Sequence, residues 1–290
     1  PAESAALFVG VREFTYDETL SDVPYAVDDA VDLAYAVAFD GKPRLVDTTR
    51  VILALSGEPQ KPQSRRKLEQ LRAAGAVVHA AGQSDILLLL EHQARLVGRN
   101  GILIVAFATH GISDGGAQYL LAATSLLRYR ETSVSEAAVR EIVSQSGVPR
   151  ALILLDACRE RLTRAARNGD ADRRSAAALL RDLAAVDGVA VLAAATAGGY
   201  AYDDEVRRNG VFTAAVIDGL KCGAAIDTRG FVTVDTLSNY VQERVLMWIR
   251  KNRDPEAKKA TQLQSDGHSR MMPLSACVTD TASASPPRRW

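Results

Sequence analysis

Nowhere in its 290 residues does the chain carry a long apolar run. None of its apolar stretches approaches the ~20 residues that a membrane-spanning helix needs, and its first residues lack a signal-peptide pattern. Charge of one sign is absent too: 35 Lys plus Arg face 35 Asp plus Glu. Nothing therefore advertises nucleic acid or an anionic membrane as partner. Cysteine is scarce. Cys158, Cys222 and Cys277 are odd in number and far apart, which argues against a disulfide framework and, without ligand spacing, against a zinc site. Free thiols suit a reducing cytoplasm, the expected location. A glycine-rich phosphate loop is also missing: GVREFTYDE follows the first apolar run, so a generic nucleotide-binding domain is a poor fit. The acidic loops show no EF-hand spacing, and no cofactor is expected.

What is present is a repeated alternation of short apolar runs and amphipathic segments. ALFVGV (Ala6 to Val11), VILALS (Val51 to Ser56) and VAVLAAAT (Val189 to Thr196) read as strands buried on both faces. Between them, helical spacing of apolar residues predicts helices over about 28–40, from a cap at Ser64 to Gly75, and from a cap at Ser84 to Gly98. Ser133 with Glu136 forms a capping-box pattern for a helix before residue 150. Residues 176–186, 212–220 and 233–249 also read as helical, the last capped by Thr233. Repeated βα units imply an α/β fold with a mostly parallel sheet and helices on both faces.

Two further apolar runs carry the chemistry. GILIVAFATHG closes on His110 and Gly111, and RALILLDACRE delivers Asp156 and Cys158; the cysteine lies 48 residues after the histidine. Open α/β sheets place their chemistry at the carboxyl ends of such strands. A cysteine closing an apolar strand is ordinarily a small buried hydrophobe, but a His-Gly pair at the matching end of a second strand reverses that judgement. His79, His92 and His268 sit in a strand, on a polar helix face and in a loop, and read as structural; Cys222 reads as inert.

The strand-end motifs THG and DACR resemble the caspase-like cysteine peptidases, a group that includes metacaspases, paracaspases and bacterial relatives. DACR is closer to the paracaspase and bacterial forms than to caspases, which carry Gln two residues before the cysteine. The resemblance continues through AATAGGYAYD, GVFTAAVIDGL and FVTVDTLSNYVQERV, covering roughly residues 5–275. It implies a caspase-like fold with a mostly parallel six-stranded sheet. The peptidase domain would span 1–275, with a large-subunit-like part to about 160, a linker at about 159–175 and a small-subunit-like part at 176–275. Residues 276–290 read as a disordered tail.

The same resemblance implies a His110/Cys158 dyad, with the N–H groups of Gly111 and Cys158 as oxyanion hole. It also implies a primary pocket lined by Asp156, by Asp29 in VDDA and, once one residue is gapped, by Asp203. Such a pocket takes Arg before Lys, since carboxylates match a guanidinium fork. The Arg-dense linker offers Arg161, Arg164, Arg167, Arg173 and Arg174 as self-cleavage sites in a zymogen. Partners would be protein substrates with exposed Arg or Lys, and an activating protein or upstream protease. Metacaspases often need calcium, and that point stays open here. The rival reading is a non-proteolytic scaffold that kept the fold; the intact His110, Gly111 and Cys158 argue against it.

Overall fold

The computed structural model describes residues 1–41, 44–114, 117–161, 187–194, 201–253, 262–265 and 267–277, with 158–161, 262–265 and 267 described by backbone alone. The apolar runs form the strands β1 (Ala5–Val11), β2 (Val51–Ser56), β3 (Val77–Ala80), β4 (Leu103–Asp114), β7 (Ala151–Arg161) and β8 (Val189–Ala193). They pair in the order β8-β7-β4-β1-β2-β3, all parallel, which gives the six parallel strands expected. A seventh strand, β12 (Gln262–Ser265), adds antiparallel beside β8. A hairpin of β5 (Ala117–Leu120) and the short β6 (Val134–Ser135) extends from β4.

Alternate residues of each strand go to opposite faces. On one face Ala6, Phe8, Leu152 and Leu154 pack against helices α1 (Ala26–Tyr35), α2 (Pro62–Ala73), α5 (Val211–Asp218) and α6 (Val234–Asn252). On the other, Leu7, Val9, Ile153 and Leu155 meet α3 (Gln83–Leu96) and α4 (Glu136–Ser146). Burial on both faces explains why these strands read as unbroken apolar runs. Each fully buried Leu or Phe contributes about 1.5–3 kcal/mol.

Several local expectations need correcting. The strands carrying His110 and Cys158 do not end there: β4 runs on to Asp114 because Gly111–Asp114 pair with β5, and β7 follows it in register to Arg161. Ser64 lies inside α2, whose first residue is Pro62, and its hydroxyl donates to Asp32 instead of capping. Ser84 lies inside α3, which starts after Gly82. The cap of α4 is Ser135, accepting from Ala138 N; Ser133 instead bonds Ser125. Thr233 does cap α6, in a reciprocal box with Thr236. The helix expected at 176–186 and residues 278–290 of the expected tail lie outside the described residues, whereas the first two residues of that tail are not tail: Ala276 closes a strand and Cys277 is bonded to Cys222.

The largest correction is at the cysteines. Cys222 and Cys277 are joined in a disulfide across 55 residues. Cys222 is therefore a structural crosslink, and thiol count is no ground for placing the chain in a reducing compartment. The bond ties the turn after α5 to the end of β13 (Pro273–Ala276), which pairs with β11 (Phe231–Thr233) ahead of α6. Closing a loop of that length restricts the unfolded chain by up to about 4 kcal/mol in the entropy model. Reduction, or Cys222→Ser, should lower the thermal midpoint by several degrees; an unchanged midpoint under reductant would show that the bond does not constrain the unfolded state. No helix among the described residues is long and apolar enough to cross a membrane.

Candidate functional site

His110 and Cys158 stand directly opposite each other in the register of the neighbouring parallel strands β4 and β7. The fold thus brings the two expected residues side by side. The imidazole is held from two directions that the sequence did not reveal. Its Nε2 lies 2.9 Å from the backbone carbonyl of Ser21 and 3.4 Å from the Ser21 hydroxyl. Phe14 stacks on the ring, with centroids 5.5 Å apart and planes at 17°. A carbonyl oxygen only accepts, so Nε2 carries the proton in the neutral ring and Nδ1 keeps the lone pair. Both contacts come from the loop between β1 and α1, whose residues look like an ordinary polar linker.

Beside His110 opens a cavity of about 130 Å³ lined by Asp29, Asp156 and Asp203 together with Asp22, Val23, Pro24, Ala26, Ala108, Thr109 and Ala201. All three expected pocket acids therefore meet, although they come from α1, β7 and the short strand β9 (Asp203–Asp204). No lysine or arginine lines the cavity among the described residues. Asp22 is the acid that sequence reasoning missed.

Each carboxylate is anchored by local structure. Asp156 Oδ2 accepts from Thr213 N at 3.2 Å and Thr213 Oγ1 at 2.7 Å, at the first turn of α5, where the helix dipole favours a negative group. Asp29 accepts from the Gly210 N–H at 3.0–3.1 Å and from Asn209 Nδ2 at 2.7 Å. Both donors belong to the two-residue strand β10 (Asn209–Gly210), which pairs with β9. A side chain at Gly210 is excluded: an added Cβ would lie 2.4 Å from Asp156 Oδ2 and 3.0 Å from Asp29 Oδ2. Glycine here leaves room for Asp156 beside the backbone amide that holds Asp29.

Burial and mutual repulsion leave these acids reluctant to ionise. Burial, then the neighbouring Asp156, pushes Asp29 well above the usual carboxylate range. Asp156 is raised to about 6, again by burial first, with Asp203 adding to it. Asp203, nearer the opening, is raised by burial while His110 and Arg253 pull it back. Like charges crowded in a low-dielectric site disfavour one another's charged form. An incoming cation would relieve all three.

The expected self-cleavage sites Arg164, Arg167, Arg173 and Arg174 lie outside the described residues, and Arg161 is described only as the last backbone position of β7. No group of His, Cys, Asp and Glu suited to a metal ion occurs among the described residues.

Among curated proteins, none matches the chain. Among solved structures, the crystal structure of protein GSU0716 from Geobacter sulfurreducens is similar in fold, with a TM-score of 0.56 at 13% identity over 94% of this chain and 99% of that one. A family model, the caspase domain (Peptidase_C14), matches residues 65–279. That span holds His110, Gly111, Asp156, Cys158 and Asp203, and leaves Asp29 to the preceding helix. By that match, the chain belongs to the caspase domain family of peptidases.

Proposed function

We propose that the protein is a cysteine endopeptidase cutting after basic residues, Arg before Lys, with Cys158 as nucleophile and His110 as its proton-transfer partner. The observation that carries the reading is the acid cavity: the buried Asp29 and the half-buried Asp156 and Asp203, from distant parts of the chain, converge beside His110 with no basic side chain in the lining among the described residues. A desolvated anionic pocket of this kind selects a cation, and two or three carboxylates suit the fork of a guanidinium better than a single ammonium.

The thiolate of Cys158 attacks the carbonyl carbon of the basic residue, His110 delivers a proton to the departing amine as the peptide bond breaks, and water then hydrolyses the thioester and frees the thiol. The N–H groups of Gly111 and Cys158 receive the oxyanion, a contribution typically of about 3–4 kcal/mol. Opposed positions in the ladder and an imidazole fixed through Nε2 support these roles. The Arg-dense segment after Cys158 supplies substrates in the chain itself, and we assign it as the processing linker of a zymogen.

Incubating the purified protein with arginyl, lysyl and aspartyl fluorogenic peptides tests the specificity. Hydrolysis in the order Arg, Lys and then no detectable Asp is expected. Preference for Asp over Arg would move the protein to true caspase specificity and sink the basic pocket. In the same incubation, N-terminal sequencing should find new ends between Glu160 and Ser175. An intact chain that turns over arginyl peptides would remove self-processing from the mechanism.

A further inference from the structure

Next to the acid cavity lies a second polar cluster that meets its lining only at Asp29. Asn209 Nδ2, besides donating to Asp29, lies 3.2 Å from Asp32 Oδ2, and its Oδ1 accepts from Lys61 Nζ at 2.6 Å. Lys61 also donates to Asp32, and its backbone N–H donates to Asp28 Oδ1 at 2.9 Å. Asp32 is completed by Ser64 and Lys67, each at 2.9 Å. Asp29, Asp32, Lys61 and Asn209 are all less than a tenth exposed. Only Asp29 of the four lines the cavity.

We infer that Lys61 and Asn209 are positioning residues for substrate selection: the Lys61 ammonium fixes the direction of the Asn209 amide, and that amide aims the Asp29 carboxylate into the cavity. This rests on reading the cavity as a cation pocket.

The argument is one of donors and acceptors. An ammonium only donates, so it must face the amide oxygen; carboxylates only accept, so they must face the amide nitrogen. A flipped Asn209 would set its oxygen against two carboxylates and its NH₂ against the ammonium. Lys61 thus leaves the amide one orientation, although it reaches neither substrate nor cavity. The stability of this corner does not require such an arrangement, because a buried ion pair gains little over an apolar replacement of equal size. What the polar chain adds is direction at Asp29.

The consequence depends on pH. Asp29 is faced by Asp156 from β7, Asp203 from β9, and Gly210 N–H and Asn209 from β10; Asp32 on its own helix shares the Asn209 amide, and His110 and Asp22 line the same cavity. The Asn209 donor works against the burial and repulsion that keep Asp29 protonated. Without it, Asp29 holds its proton to higher pH and a cation is bound poorly until that proton leaves.

Calorimetric titration of the full chain with benzamidine, a guanidinium-like cation, tests this without relying on turnover. At about pH 6 Asn209→Ala should bind at least about tenfold more weakly than wild type, and at about pH 9 within about threefold of it. Lys61→Met should follow the same pattern, and Lys61→Arg should recover most of the affinity. Circular dichroism checks the fold of each variant. If Asn209→Ala does not fold, Lys61→Met decides, because Asp32 there keeps Lys67 and Ser64. Wild-type affinity in the variants at low pH, or an equal loss at both pH values, overturns the inference while the cation pocket stands. Absence of benzamidine binding by the wild-type protein overturns the pocket reading and this inference together.

Discussion

Cys158→Ala and His110→Ala each reduce hydrolysis of an arginyl peptide by at least about a thousandfold while leaving the circular dichroism spectrum native. The expectation follows from placement. The two residues face each other across one parallel pair of strands, so neither is needed to hold the other in place: ladder hydrogen bonds from Leu103 to Ser113 against Ala151 to Arg161 do that. Removing the thiol removes the group assigned to attack the substrate carbonyl. Removing the imidazole takes away both the positive partner that favours a thiolate and the proton donor for the departing amine. Phe14→Ala, which loosens the imidazole but spares both reacting groups, should cost far less than either, on the order of tenfold. Near-wild-type turnover by a natively folded Cys158→Ala or His110→Ala protein would show that the dyad is misassigned.

The architecture was legible because its strands are buried on both faces, and burial writes itself as unbroken apolar runs such as ALFVGV and ALILL. Helix bodies were legible for a related reason, the helical recurrence of residues such as Leu68 with Leu71 or Leu237 with Val241. Helix starts were legible at Thr233 but not at the serines. Serine is a cap only when its own backbone is extended and the helix begins one residue later, and Ser64, Ser84 and Ser133 look no different in sequence from Ser135. The disulfide was illegible because pairing depends on distance in space: 55 residues apart in the chain, the Cys222 and Cys277 Cα atoms come within 5.8 Å.

In the site, the residues that announce themselves are those at the ends of apolar runs, His110, Asp156 and Cys158. Those that hold them do not. Ser21 acts through its carbonyl, a group every residue has, and Gly210 through an N–H and a missing Cβ. Asn209 and Lys61 matter only because α1, the start of α2 and β10 meet in three dimensions. A helix-dipole role would have accounted for Asp28 and Asp29 equally well. The fold separates them: Asp28 caps the Gln60 and Lys61 amides, and Asp29 turns into the cavity.

Asp156→Asn should make the protein more stable at neutral pH and much worse at its task. Asp156 is half-buried, desolvation raises its pKa to about 6, and Thr213 remains its hydrogen-bonding partner. A carboxyl whose folded pKa lies above its unfolded value of 3.8 binds its proton more tightly in the native state. Its stabilising contribution is full below the unfolded value and disappears as pH rises through about 6. Above that range the empty protein bears a buried charge that it would hold more cheaply if neutral, on the order of 2–3 kcal/mol for this group. Asparagine keeps the shape and accepts from Thr213 without the charge. The thermal midpoint of the variant should therefore exceed that of wild type by several degrees at about pH 8, with the gap closing towards about pH 4. Activity should move the other way. The guanidinium loses a charge-assisted partner in a desolvated pocket, about 1.5–3 kcal/mol, so kcat/KM for arginyl peptides falls tenfold or more. Benzamidine should raise the midpoint of wild type at about pH 8 and leave that of the variant nearly unchanged, since the ligand supplies the positive charge that Asp156 lacks. Equal midpoints for the two proteins at both pH values, together with full activity in the variant, would mean that Asp156 neither stores this charge nor reads the substrate.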